Sequence, residues 1–165
     1  MSVNLIYNAT EDRVIGNRGK LTCFIPDDLK RFQQLTLHGV VIMGSVTYSS
    51  IPAKKRPLKD RTNIVLSRDP RYKVHGCRVY DSLKSAVADY NDKDIWIIGG
   101  GEVLKQGIEL ADKIYLTLVH TKVAGDTFAP IIDPSIWRQE SISDTMTYNT
   151  LRYQYITYAR RTIGA

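Results

Sequence analysis

At 165 residues, with 43% hydrophobic and 24% charged side chains, the chain has the make-up of one globular domain that can bury a substantial core. No apolar run approaches the roughly 18 residues a membrane span needs, and "MSVNLIYNATEDR" lacks a basic segment ahead of an apolar one, so a cytoplasmic protein with no membrane partner is expected. Cys23, Cys77 and the scattered His38, His75 and His120 match no metal or redox spacing, and the net charge of +6 forms no long basic block. No metal site or nucleic-acid partner is therefore expected; the diffuse positive charge suits small anionic ligands.

In chain order, "VNLIYNA" reads as the first strand and residues 26–37 as the first helix, with Pro26 at its first position and two acids in its first turn. At about 100° per residue, Ile25, Leu29, Phe32 and Leu35 share a face, and Asp28 falls inside that arc. Asp27, Lys30, Arg31 and Gln34 point the other way. Asp27 reads as a solvated acid that complements the helix dipole. Asp28 reads as a carboxylate set into an apolar face, which must be paired, hydrogen-bonded or protonated. The plain alternative is a second first-turn acid.

"VVIMG" is the next strand, followed by a short helix near 46–51; "TNIVLS" and "CRVYD" are strands, and 82–90 is helical. "DIWIIGG" runs into a helix at 102–111, "KIYLTLV" follows, and "WRQESI" and "LRYQYITYA" close the series. Val40 to Met43 and Ile95 to Ile98 are continuous apolar runs, as strands covered on both faces require. Alternation of strand and helix predicts a largely parallel α/β sheet, with an antiparallel hairpin at one edge from the last two strands.

Two junctions have the form strand, glycine, helix: Gly44 before Ser45 and Thr47, and Gly99-Gly100-Gly101 before Glu102. Glycine lets a backbone approach a ligand closely, and free N–H groups at helix starts attract phosphate oxygens. Neither junction is G-x-G-x-x-G or a P-loop, and a triple glycine is also simply a turn. Two on one sheet edge suggest a two-phosphate ligand at the carboxyl ends of the strands. Ser67 and Arg68 end a third strand, where Arg68 reads as a phosphate fork or an exposed turn residue. Thr117 lies in an apolar strand; its hydroxyl needs a partner, and Asp28 is a candidate.

With these residues in view, the chain resembles the dihydrofolate reductase family over nearly its whole length. The likeness rests on "DRVIG" (12–16), "PDDLKRF" (26–32), "VIMG" (41–44), "TNIVLSR" (62–68), "IIGGGEV" (97–103), "YLT" (115–117) and "GDT" (125–127), whose order and spacing are specific together. The resemblance implies a mostly parallel eight-stranded sheet flanked by about four helices, in one domain over 1–165. It implies NADPH-dependent reduction of 7,8-dihydrofolate to tetrahydrofolate, serving thymidylate and one-carbon metabolism, by a monomer that also takes antifolate-type small molecules.

By the same resemblance Asp28 bonds the 2-amino group and N3 of the pterin, and Thr117 bonds Asp28. Phe32 lies against the ring; Ile6, Asn8, Leu29, Ile51, Leu58 and Ile98 line the pocket; Arg61 pairs with the substrate's glutamate carboxylate. Gly16 to Leu21 belong to a mobile loop over the nicotinamide, with Leu21 beside the chemistry and Ile15, Asn8 and Ile98 close by. Gly44, Ser45, Val46 and Thr47 face the diphosphate with Gly100, Gly101 and Glu102. Leu66, Val103, Leu104 and Thr127 complete the cofactor site, and Ser67 and Arg68 hold the 2′-phosphate.

The chain departs from the family pattern at several positions. Thr22 and Cys23 replace Pro-Trp, Asn8 replaces a small alanine, and Ser45 with Val46 stand where a basic residue is usual. Leu104 and Ala129 each replace an aromatic. Such divergence suits a fast-evolving lineage such as a phage or mobile element. Two alternatives stand beside the reductase: a pyrimidine reductase of riboflavin synthesis on the same fold, and a folate- or NADPH-binding protein whose turnover has been lost.

Overall fold

A computed structural model describes residues 1–162, and for Leu21 the backbone alone. The central sheet is built on β1 (Val3–Thr10), β4 (Val40–Gly44), β5 (Thr62–Leu66), β6 (Arg78–Tyr80), β7 (Ile95–Gly99), β8 (Lys113–Val119), β10 (Trp137–Ile142) and β12 (Leu151–Arg160). Their order across the sheet is β10-β12-β8-β1-β7-β4-β5-β6, with β11 (Met146–Tyr148) pairing beside β10 on β12. The pairs from β8 through β1 to β6 are parallel. Those involving β12 are antiparallel, which gives the expected edge.

The apolar runs explain the sheet's interior position. Val40 to Met43 and Ile95 to Ile97 are buried on both faces. One face packs Leu5, Val40, Ile42, Ile64, Ile97 and Leu104; the other packs Ile6, Val41, Met43, Val65 and Trp96 against the half-buried Phe32, Leu35, Ile51 and Ile98.

The four helices are α1 (Pro26–Thr36), α2 (Ser45–Ser50), α3 (Leu83–Asp89) and α4 (Gly101–Gly107). Pro26 opens α1 with Asp27 and Asp28 in its first turn. Ser82 caps α3 by accepting the Ser85 N–H at 3.2 Å. The helix read at 102–111 is shorter than expected, ending at Gly107 in a turn where Ile108 N–H still reaches the Leu104 carbonyl.

The segment 16–21, expected as a loop, forms a small antiparallel sheet of β2 (Val14–Asn17), β3 (Lys20–Leu21) and β9 (Thr127–Phe128). Strands this short carry no periodicity of their own and exist because their neighbours pair with them.

Candidate active site

Asn8 on β1 and Thr117 on β8 are direct partners in the parallel register, and Thr117 in turn faces Tyr155 on β12. Asn8, Thr117 and Tyr155 therefore form a row across three strands. Helix α1 lies over it. Thr117, 2% exposed, donates its hydroxyl to Asp28 Oδ1 at 2.6 Å, and Asn8 Nδ2 donates to Asp28 Oδ2 at 3.2 Å. One turn along α1, the Arg31 guanidinium lies 4.2 Å from the centroid of the Tyr155 ring.

The two first-turn acids are thus separated in fact. Asp27 is exposed, whereas Asp28 is half-buried with a donor on each carboxylate oxygen. An ionised carboxylate accepts on both oxygens, so each keeps capacity for one more donor. That arrangement suits a ligand edge carrying two adjacent N–H groups. The environment is apolar and aromatic: Cys23, Ile25 and Tyr153 are buried together beside Tyr155. Burial pushes the Tyr155 phenol up to about 12, and the Asp28 charge adds to the effect. Burial likewise raises the Cys23 thiol, which therefore stays protonated at neutral pH.

Ile6 is buried, and Phe32, Ile51, Leu58 and Ile98 pack half-buried on the same side of the sheet. Leu29 is 37% exposed, although it shares the apolar stripe of α1, so the stripe is not closed over at this position. Arg61 reaches this side too. Its Nη1 donates to Thr36 Oγ1 at 3.0 Å and its Nε to the Lys59 carbonyl at 2.9 Å, with the guanidinium 5.8 Å from the Phe32 ring. Thr36, fully buried, anchors this by donating to the Phe32 carbonyl at 2.8 Å. No pattern in the sequence links Thr36 to Arg61. Burial lowers the Arg61 proton affinity somewhat, yet an arginine so shifted remains a cation.

The two glycine junctions meet, since β4 and β7 are neighbours. A methyl group on Gly44 would sit 3.4 Å from Val103 Cγ2, and one on Gly100 3.4 Å from Thr47 Oγ1. Gly99 has φ +141°, which glycine alone tolerates readily. Around this junction Ser45 and Thr47 are half-buried, and Val46, Glu102 and Arg68 are exposed. Ser67 Oγ accepts the Asp69 N–H at 3.2 Å, so it also shapes the turn that carries Arg68.

Thr127, on β9, packs against the start of α4: a methyl on Gly101 would lie 2.9 Å from Thr127 Cγ2 and 3.0 Å from the Phe128 carbonyl oxygen. Gly16, paired with Leu21 and Thr127, sits in the small sheet. The Leu21 side chain lies outside the described residues.

Two residues that the resemblance assigns to the cofactor are buried. Leu104 is completely buried in the main core. Ile15, 7% exposed, packs in that same core with Leu5, Tyr7 and Ala9. Leu66 is half-buried at its margin.

Comparison with known proteins fits this geometry. The family model described as dihydrofolate reductase matches residues 2–160. Dihydrofolate reductase of Mycobacterium tuberculosis (strain H37Rv) is 34% identical over 161 residues, covering 96% of this chain and 98% of its own length. That of Haemophilus influenzae is 43% identical over 141 residues, covering 85% and 86%. Among solved structures, dihydrofolate reductase from Enterococcus faecalis complexed with NADP(H) and RAB-propyl superposes with a TM-score of 0.89 at 33% identity, covering 98% of this chain and 97% of the other. The chain belongs to the dihydrofolate reductase family.

Proposed function

We infer that this chain reduces 7,8-dihydrofolate to 5,6,7,8-tetrahydrofolate, with hydride delivered to pterin C6. The observation that carries the reading is the half-buried Asp28 with one protein donor on each oxygen. A pterin presents a 2-amino group and a ring N–H side by side, which is the edge such a carboxylate accepts. Its negative charge favours a pterin that has gained a proton at N5, and an iminium carbon accepts hydride more readily than a neutral imine carbon. Thr117 and Asn8 hold the carboxylate in place; Phe32, Ile6, Ile51, Leu58 and Ile98 supply the apolar walls. Arg61, already tethered by Thr36 and Lys59, offers its remaining donors to the substrate's glutamate carboxylate.

The residues at the β4–β7 edge fit NADPH. Gly44 and Gly100 are half-buried where two strand ends meet, and neither carries a side chain that would stand between its backbone and a ligand. Ser45, Thr47 and the N–H groups at the start of α4 would face the diphosphate, and Ser67 and Arg68 the 2′-phosphate. NADPH supplies the hydride when bound. Leu21 is assigned to the nicotinamide side by family likeness.

Identities of 34% and 43% to dihydrofolate reductases disfavour a riboflavin-pathway reductase. Among the described residues no helix is long and apolar enough to cross a membrane. A cytoplasmic monomer that binds antifolate-type molecules and no nucleic acid completes the reading.

Absorbance at 340 nm tests it: dihydrofolate-dependent loss of NADPH signal, weaker with NADH, is expected. A flat trace with dihydrofolate, under conditions where the protein is folded, overturns the assignment.

A further inference from the structure

The Asn8 side chain has a fixed orientation. Its Nδ2 donates to the Cys23 carbonyl and to Asp28 Oδ2, both at 3.2 Å. An amide nitrogen carries two hydrogens, and both are spent here. Rotating the amide by half a turn would set its oxygen against two oxygens, so the network selects one state. The residue thereby ties three elements together at one point: β1, the Cys23 segment that follows β3, and the first turn of α1. Because Asn8 pairs with Thr117 across the β1–β8 register, the two donors approach Asp28 side by side, one to each oxygen.

We propose that Asn8 is a positioning residue for substrate binding: its amide fixes the rotation of the Asp28 carboxylate and stabilises its ionised form. This rests on Asp28 being the pterin-binding group. Donors to a carboxylate favour its charged state. A site with Thr117 alone would leave Oδ2 without a protein partner and the carboxylate freer to turn.

The charged and titratable groups facing Asp28 do not account for the same effect. On β12, Tyr153 and Tyr155 lie within range of the Asp28 charge and both phenols are pushed up by burial; they remain neutral through the acid range. On α1 itself Asp27 is exposed, and the Arg31 cation is stacked on Tyr155. The Cys23 thiol is raised by burial. Thr117 does not titrate. Asn8 and Thr117 are therefore the groups that bond the carboxylate directly.

The test combines NMR with kinetics on the full chain. Dihydrofolate turnover by the unmodified protein is measured first; its absence would sink the reductase reading and leave the Asn8 question open to NMR. The Asp28 carboxyl carbon is then titrated in unmodified protein and in Asn8→Ala. The midpoint is expected to rise by roughly half to one pH unit in the variant, as for one lost hydrogen bond to a charged, half-exposed group. The KM for dihydrofolate is expected to rise about fivefold to tenfold, with a smaller change in kcat.

In an Asp28→Asn background the same Asn8→Ala change should add little, because the group it serves is gone. An unmoved midpoint, or an equal loss in both backgrounds, overturns the proposal. Should Asn8→Ala fail to fold, the unmodified protein decides. The Asn8 side-chain amide protons must shift with the same midpoint as the Asp28 carbon, and independent behaviour overturns it.

Discussion

Thr117 on β8 and Asp28 on α1 are 89 positions apart in the chain, yet the threonine hydroxyl donates to the carboxylate at 2.6 Å. The strand buries the threonine, so water cannot replace it. Thr117→Val keeps the shape and removes the donor. A hydrogen bond to a charged group contributes about 1.5–3 kcal/mol, so kcat/KM for dihydrofolate should fall roughly tenfold to a hundredfold. Steady-state kinetics decide; an unchanged kcat/KM would show that the bond does not serve substrate.

The two adjacent acids give a sharper contrast. Asp28→Asn converts an acceptor-only group into one that presents a donor to the ligand's N–H edge and removes its charge. Turnover at neutral pH should drop at least about a hundredfold, by the same conversion of lost interactions into rate. Asp27→Asn changes an exposed residue and should leave kcat/KM within about twofold, as surface substitutions usually do. Equal effects from both would mean that the helical face does not distinguish them.

Arg61 is held by Thr36 and Lys59 before any substrate arrives. Pre-organisation of this kind lowers the ordering cost of binding. Arg61→Leu should raise KM for dihydrofolate by about tenfold to a hundredfold, the scale of a lost charge-assisted pair, with little change in kcat. A dihydropterin that lacks the glutamate tail should be indifferent to the substitution. If the truncated substrate suffers equally, Arg61 acts on the fold rather than on the carboxylate.

How much of this was legible beforehand depends on where each signal is stored. Runs such as Val40 to Met43 name buried strands by composition alone, and the sheet follows from them. The facial position of Asp28 was visible because a helix repeats on its own sequence. Period names a face but not its cover. Leu29 therefore shares a stripe with Phe32 and still remains 37% exposed. Leu104, which family likeness assigns to the cofactor, packs into the core from α4, a placement that no period in so short a helix could announce. The Arg61–Thr36 bond and the β2–β3–β9 sheet depend on residues brought together from distant segments, so no local pattern announces them.

Arg68 reports on cofactor choice. It is exposed at the end of β5, beside a turn shaped by Ser67. If it grips the 2′-phosphate, Arg68→Ala should raise KM for NADPH about tenfold or more, the worth of one charge-assisted contact, and leave KM for NADH nearly unchanged. Parallel losses with both cofactors would place the residue elsewhere in the cofactor site or in the fold.

Asp126 links the small sheet to the segment before β9. Its Oδ2 accepts the Arg18 N–H at 2.9 Å and its Oδ1 the Thr127 hydroxyl at 2.8 Å. These bonds, the Arg18 N–H first, hold the carboxyl below its ordinary value of 3.8. A depressed value means that the ionised form is the bonded one. The link is therefore fully present above 3.8 and is lost as pH falls through the lower native value. At neutral pH the acceptor can be deleted instead. Asp126→Ala should speed hydrogen exchange at the Arg18 amide several-fold, while exchange in β4 and β7 stays as it was. Unaltered exchange at Arg18 would show that pairing of Gly16 with Leu21 and Thr127 holds this hairpin without the carboxylate.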